Sequence, residues 1–488
     1  MKNTEFKRLG KKPIARGKTK RIWAVDGHDD VVIMYNTNET TADNDPNKTR
    51  SMAKKARCAT TTTSRMFELL EEAGIPTAYV KQLSSREILA KKCAMIPLEV
   101  IIRRYAVGSY LDRMPQLKRE GNPLRFHQLK YELFLKTSKG RLDELDLRNH
   151  LPSDKKELLR YLNIAKTLKD INEGRKEAKA EPITDLLELS QEELVEEVIK
   201  IIDDPWIEDP TISSLKWVLR HPKKPTWEIA PLTIFVDGCN IISLEKLKEI
   251  EELTRKTFLV LEGAWNTLGY RLIDFKIEFG IDTKGNLVIA DVIDNDSWRL
   301  RTADWKELSK QNFRDGHPLA NVQENYVRVA ELTNQLRIPK QAIVFWRGSD
   351  KDPLERFADN KFPGEILPGI IHENILASGH KSPGKVIEAL EDLHAKYPEG
   401  AVIIAIVGMS NGLGPILSAR TSWPVLSYCN SAKTNPEDVW SNLRMPSGVP
   451  NTTFLSLDNA YLAALNILSA KNPAAYKLRQ YAIETLEG

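Results

Sequence analysis

Asp274-Phe-Lys276-Ile-Glu278-Phe-Gly-Ile-Asp-Thr-Lys-Gly-Asn-Leu-Val-Ile-Ala-Asp291 reads as two strands joined by a tight turn. Period-two alternation places Phe275, Ile277, Phe279 and Ile281 on one face and Asp274, Lys276 and Glu278 on the other. With Lys284-Gly285 as a two-residue turn, Glu278 lies directly opposite Asp291. Facing carboxylates repel unless a cation sits between them. A hard divalent ion such as Mg²⁺, held by one or two carboxylates and by phosphate oxygens, suits that geometry. A solvated hairpin face neutralised by Lys276 accounts for the spacing equally well.

Outward from this hairpin, strands and helices mix without a repeating βαβ order. Arg21–Val25 and Val31–Tyr35 flank a polar turn and predict a second hairpin. A helix carrying Met66, Leu69 and Leu70 ends at Gly74-Ile75-Pro76, and 95–106 contains a strand with Arg103 and Arg104 at its polar end. Residues 139–203, rich in Lys, Glu and Leu, predict a helical insertion. Within it Ser190-Gln-Glu-Glu193 forms a capping box ahead of Leu194, Val195, Val198, Ile199 and Ile202. A helix over 244–267 and an amphipathic helix from about Pro318 complete an α+β domain over 1–335, and Pro339 marks its boundary. In 340–488 the short apolar strands 342–346, 401–407 and 424–426 alternate with helical segments, which predicts a parallel αβα sheet.

A chain of 488 residues accommodates about three domains, or two with a large insertion. Its 41% hydrophobic and 28% charged residues are ordinary for a globular protein, and a net charge of +4 is too small for a nucleic-acid binder. The longest apolar run, Ala401–Val407, is far short of a membrane span, so no membrane partner is expected. Residues 1–21 hold nine Lys/Arg against the single Glu5 and no apolar stretch of the kind a secretory signal needs. Cys58, Cys93, Cys239 and Cys429 are scattered, as in the reduced thiols of a cytoplasmic protein.

Three further stretches carry chemistry. Gly17-Lys18-Thr19-Lys20-Arg21 can cover anionic phosphates with N–H groups and ammonium charges, although a basic solvated turn has the same composition. Arg103-Arg-Tyr-Ala-Val-Gly-Ser109 offers a guanidinium, a glycine and a hydroxyl to a phosphate or carboxylate; a surface ion pair is the plainer alternative. In the last third, strands run into the polar loops 347–352 and 408–415, with 378–383 between them. Ligands of parallel sheets bind at such carboxyl ends, and His380 is the one strong acid–base candidate near these loops.

RGKTKRIW (16–23), EEAGIPTAYV (71–80), MIPLEVIIRRYAVGSYLDR (95–113), DFKIEFG (274–280), ADVIDNDSWRL (290–300) and NFRD (312–315) resemble SAICAR synthetase. SGHKSP (378–383), SNGLGP (410–415) and DVWSNLRMPSG (438–448) resemble phosphoribosylaminoimidazole (AIR) carboxylase. The whole chain is thus similar to the bifunctional family of animal purine biosynthesis. That resemblance implies a SAICAR-synthetase fold of two α+β subdomains, ATP-grasp-like, followed by a flavodoxin-like domain. The implied reaction is ATP-dependent amide formation between carboxyaminoimidazole ribotide and L-aspartate, with carboxylation of aminoimidazole ribotide by CO₂ in the second domain. The alternative is a synthetase whose C-terminal domain only binds ribotide or drives oligomerisation; a nucleotide-responsive regulator without turnover is a third.

Carried over position by position, the resemblance implies that Lys18 and Lys20 contact ATP phosphates, with Glu278 and Asp291 near Mg²⁺. Arg103, Ser109, Asp274 and Arg299 would hold the ribotide, with Lys276 beside them and Arg314 a further phosphate contact. In the second half Ser349 and Asp352 would contact ribotide, Ser378, His380 and Lys381 would surround the imidazole, and Ser410, Asn411 and Gly412 would bound the CO₂ pocket. No organic prosthetic group is implied. The family's carboxylase domain forms the core of an octamer, so a homo-oligomer is expected, with Tyr461, Leu462, Leu465, Ile467, Tyr476 and Leu478 as its apolar surface. The chain departs from the family loop Met-Gly-Ser-x-Ser-Asp, reading Arg347-Gly-Ser-Asp-Lys351-Asp352, and has Ala419-Arg420-Thr421 in place of Gly-Asn-Thr.

Overall fold

Antiparallel pairing builds the first unit of the computed structural model. Described residues are 6–17, 19–41, 49–162, 184–202, 204–208, 217–223, 234–238, 241–314, 317–352 and 367–486. The chain divides into one unit of 1–63, 77–255 and 272–329 and a second of 64–76, 256–271 and 330–488. In the first, a five-stranded sheet contains the hairpin Lys20–Val25/His28–Asn36, and a nine-stranded sheet carries Arg125–Leu135, Leu98–Tyr105, Arg271–Asp282 and Leu287–Ala290 as successive neighbours. The strand Arg271–Asp282 is therefore central, and most of its residues on both faces are buried. Its expected polar face is solvated only in part.

The register of its hairpin differs from the expectation. Glu278 pairs with Ala290, not with Asp291. The cause is a loop of three residues instead of two: Asp282 Oδ1 accepts the N–H groups of Lys284 and Asn286, each at 2.9 Å, and Gly285 adopts φ +84°. One extra loop residue shifts the pairing by one, and side chains then exchange faces. Asp291 is left just beyond the strand, in the left-handed region at φ +67°.

The capping box forms as expected. Ser190 N–H donates to Glu193 Oε2 at 2.7 Å and Glu193 N–H to Ser190 Oγ at 3.2 Å, opening the helix Gln191–Ile202. The insertion is not helical throughout, because Arg141–Leu142 and Leu145–Asp146 form a small antiparallel pair. Residues 163–183 and most of 203–216 lie outside the described set.

The second unit has a five-stranded parallel sheet in the order Ile371–Leu376, Ala342–Arg347, Ala401–Val407, Val425–Cys429, Thr452–Phe454. That is the flavodoxin-like order 2-1-3-4-5, and its crevice opens beside the first and third strands. The third strand is buried along its whole length, as a parallel strand covered on both faces must be. Of the residues expected to form an oligomer surface, Tyr461 and Leu465 pack into this unit's own core and Ile467 is exposed.

The last helix, Pro473–Thr485, buries Lys477, whose Nζ donates to Ala73 O at 2.8 Å. Burial, with Lys256 nearby, pushes the Lys477 ammonium down from 10.5 to about 8. The folded value lies below the unfolded one, so the charged form costs stability fully below about pH 8, and the loss is recovered as pH rises towards 10.5. Keeping the ammonium charged inside the fold costs about 3 kcal/mol, offset by about 1 kcal/mol for the hydrogen bond. We expect Lys477→Met to stabilise the protein by about 2 kcal/mol at pH 7 in denaturant unfolding, with the gain shrinking towards pH 10. A variant less stable than wild type at both pH values would show that the hydrogen bond outweighs desolvation.

Candidate active sites

Three neighbouring strands place a row of charged side chains on one face of the large sheet. Asp274 lies directly opposite Arg103, and Glu132, two residues from the partner of Arg103 on the other side, shares that face. Arg103 Nε donates to Glu132 Oε2 at 2.5 Å, Nη1 to Asp274 Oδ2 and to Val107 O, and Nη2 to Ser109 Oγ at 3.3 Å. Asp274 Oδ2 also accepts from Arg299 Nη1 at 2.5 Å. Arg103 is only 2% exposed. Burial opposes its charge, but Glu132 and Asp274 outweigh that and raise its pKa. A surface ion pair is thereby excluded for Arg103. Arg104 is buried as well, its Nη1 donating to His127 O at 2.7 Å on the strand's other face. Gly108, at φ +59°, lies so close to the Arg299 guanidinium that a Cβ would collide with it. Arg103, Ser109, Asp274 and Arg299 thus form one cluster, as the sequence led us to expect.

Further along the same strand, Lys276 Nζ sits 3.1 Å from Glu99 and 3.5 Å from Glu278, and Lys136 Nζ lies 2.7 Å from Glu278. Burial alone would raise the Glu278 carboxyl; Lys276 and Lys136 more than offset it and hold it below the usual range. Lys20 forms an ion pair with Asp291. Burial pushes Lys20 down to about 8, against the raising pull of Glu278 and Asp294. Glu278 and Asp291 therefore do not face each other across a ladder: Asp291 is ion-paired with Lys20, and Lys20 also feels the charge of Glu278. Lys18 and the side chain of Arg314 lie outside the described residues. Behind this cluster Asp296 pairs with Lys55 Nζ at 2.7 Å and accepts from Tyr326. Burial and Asp296 together raise the neighbouring Asp294 carboxyl.

In the second unit, the loops after the first three strands converge at the carboxyl edge of the sheet. A Cβ on Gly412 would lie 2.5 Å from the His380 ring, and one on Gly379 would lie 2.7 Å from the Gly412 backbone. Only two glycines allow the 378–381 and 410–413 loops to approach so closely. His380, Lys381 and Ser410 are exposed. Ser378 Oγ accepts from Lys381 N–H at 3.2 Å, and Ser349 Oγ accepts from Lys351 N–H at 3.2 Å. Asp352 lies 3.5 Å from Asn430 Nδ2, at the end of the neighbouring strand Val425–Cys429. Asn411 plays a different part from its expected one. Its amide is buried and spent on Ser427 Oγ at 3.0 Å, Asn442 Oδ1 at 2.6 Å and Gly414 N–H at 2.7 Å, so it shapes the loop from beneath.

Sequence reading missed Glu132, Arg113, Lys136 and Glu99. A lone carboxylate inside the apolar run Tyr131-Glu-Leu-Phe-Leu135 is the signal that pointed to Glu132.

The SAICAR synthetase family model matches residues 13–181 and 231–332, and the AIR carboxylase family model matches 366–486. A bifunctional phosphoribosylaminoimidazole carboxylase/phosphoribosylaminoimidazole succinocarboxamide synthetase of Drosophila melanogaster is 31% identical over 490 residues, covering 98% of this chain and 93% of that protein. Multifunctional protein ADE2 of Gallus gallus is 31% identical, covering 98% and 94%. The human protein that bears the same description as the fly one is 29% identical, covering 99% and 96%. With both domain types in this order and relatives matched nearly end to end, the chain belongs to the family that joins a SAICAR synthetase to an AIR carboxylase.

Proposed function

We propose that the chain catalyses two consecutive steps of purine biosynthesis: carboxylation of aminoimidazole ribotide, then ATP-dependent condensation of the product with L-aspartate. One observation carries the synthetase reading. Asp274, Lys276 and Glu278 share a strand face whose two ends, roughly 13 Å apart, carry a guanidinium cluster and a lysine–carboxylate cluster. The guanidinium end, with Arg103, Ser109 and Arg299, suits the ribotide. The other end, with Lys20, Glu278 and Asp291, suits the phosphates of ATP.

Among the described residues no three His, Cys, Asp or Glu side chains gather to hold a metal ion. Mg²⁺ needs fewer: one or two carboxylates complete their coordination with phosphate and water oxygens. Glu278 and Asp291 fit that mode, since each is a carboxylate paired with a lysine. When bound there, Mg²⁺ supplies neutralisation of the phosphoryl charge. Lys20 adds a cation to the same phosphates, and Arg103 and Arg299 orient the ribotide so that its carboxylate meets the γ-phosphoryl. The carboxylate oxygen takes the γ-phosphoryl group as ADP leaves, and aspartate's amine then attacks the carbonyl carbon of the acyl phosphate, expelling phosphate and losing a proton as the amide forms. Positioning and electrostatics do most of this work, with little covalent chemistry left to side chains.

The carboxylase reading rests on the His380 ring lying against Gly412 at the switch point of the parallel sheet, with Ser378 and Lys381 hydrogen-bonded in the same loop as His380. As CO₂ adds to the ring carbon, that carbon must lose a proton, and imidazole exchanges protons near neutral pH. Among the described residues no helix is long and apolar enough to cross a membrane, and we place the activity in the cytoplasm.

Asp291→Asn is expected to lower ADP formation about 10²-fold or more, since the phosphoryl clamp loses a charged ligand. Asn tolerates the left-handed backbone at 291, so the fold should persist. A folded variant with wild-type ADP formation would overturn the metal-site assignment. His380→Asn should abolish carboxylation yet leave the ATP step intact when carboxylated ribotide is supplied. Loss of both activities, or of neither, contradicts the division of labour. An assembly larger than a dimer is expected in sedimentation, and a 55.4 kDa monomer at micromolar concentration would refute it.

A further inference from the structure

The ribotide cluster has a rear wall that the reaction does not call for. Glu132, 5% exposed, accepts from Arg103 Nε on Oε2 and from Arg113 Nη2 on Oε1. Arg113, 1% exposed, also donates from Nη1 to Pro222 O, and its guanidinium lies 5.2 Å from the Phe134 ring and 5.0 Å from the Trp206 ring. Three charged groups this deeply buried are expensive, and replacing such a triad by apolar residues often leaves stability unchanged or improved.

The donor geometry of Arg103 gives the triad a use. A guanidinium has five N–H donors in a fixed plane. Protein groups occupy the Nε donor (Glu132), both Nη1 donors (Asp274 and Val107 O) and one Nη2 donor (Ser109). The remaining Nη2 N–H has no partner among the described residues and leaves the edge at that nitrogen, beside the Ser109 hydroxyl, open. Rotation of the guanidinium about its Nε bond would turn that edge away, and the Glu132 contact at Nε is what resists it. Arg113 fixes Glu132 in turn by occupying its other oxygen, and the two aromatic rings and Pro222 O fix Arg113.

We propose that Glu132 and Arg113 are positioning residues for the synthetase step, which lock the Arg103 fork so that its free Nη2 donor and Ser109 present one anion-binding edge to the ribotide. Neither touches substrate. This rests on the ribotide reading given above for Arg103 and Ser109.

The test is steady-state kinetics of ADP formation on the full-length protein, with carboxyaminoimidazole ribotide, ATP and aspartate varied separately, alongside thermal unfolding. Glu132→Asp keeps the charge but is one methylene too short to span both guanidinia. Arg113→Lys keeps the charge but loses the planar fork. Both should raise the KM for ribotide at least about tenfold, while the KM values for ATP and aspartate stay within about twofold. A role in charge compensation alone predicts a wild-type ribotide KM in both conservative variants, and that result overturns the proposal. So does an equal rise in all three KM values. Should Glu132→Asp fail to fold, Arg113→Lys, which leaves the Arg103–Glu132 pair intact, decides by the same criterion. Wild-type protein that forms no ADP from these substrates would instead sink the ribotide reading itself, and the positioning role with it.

Discussion

A strand that carries Asp274, Lys276 and Glu278 through the middle of a sheet imposes the architecture around it. A buried ionised group costs several kcal/mol unless partners replace its water. Each of these three charges is therefore met from outside its own strand: Asp274 by Arg103 and Arg299, Lys276 by Glu99, Glu278 by Lys136. The partners come from neighbouring strands and from the chain that follows the hairpin, so satisfying the charges also fixes where those elements sit. The same requirement builds the site. Cations gathered to balance buried carboxylates are the cations that anionic substrates need, and a low-dielectric setting strengthens both sets of interactions.

Much of this was legible in the chain. Period-two alternation over 274–281 revealed a strand with a charged face, and the Ser190–Glu193 box announced its helix because both partners lie within one turn. What failed was local in a different sense. Lys284-Gly285 looks like a two-residue turn, but the Asp282 side chain captures two backbone N–H groups and lengthens the loop by one residue. The predicted pairing of Glu278 with Asp291 did not form; Asp291 is instead ion-paired with Lys20, far away in sequence. Arg103 was singled out, but its burial was not foreseen. Its partners Glu132 and Asp274 lie on two other strands, and single-sequence spacing carries no information about which strands become neighbours.

The parallel-sheet unit answers a different demand. Its chemistry involves a small neutral gas and a proton, so it does not need a dense set of buried charges. Its loops sit at the carboxyl edge, and glycines at 379 and 412 let a loop backbone press against the His380 ring. Beneath them, Asn411, Ser427 and Asn442 exchange hydrogen bonds that hold the 410–414 turn. Rigidity here comes from close backbone approach and from amides, whereas in the first unit it comes from ion pairs.

This contrast bears on the cations that set the chain apart from the usual family loops. Arg420 is exposed, just past the short helix Leu413–Ser418, and its guanidinium donates back to Ile416 O at 3.4 Å. Lys351 is likewise exposed, and its backbone N–H closes a turn on Ser349 Oγ. The close approach at the His380 ring is made by Gly412. A scaffold kept only for assembly would have no call for two loops packed so tightly that neither glycine can gain a methyl group. Under the proposed reading, extra positive charge on these loops would strengthen the local attraction for an anionic ribotide. On that reading the departures would change the field around the carboxylase crevice and not the close loop approach that bounds the His380 ring.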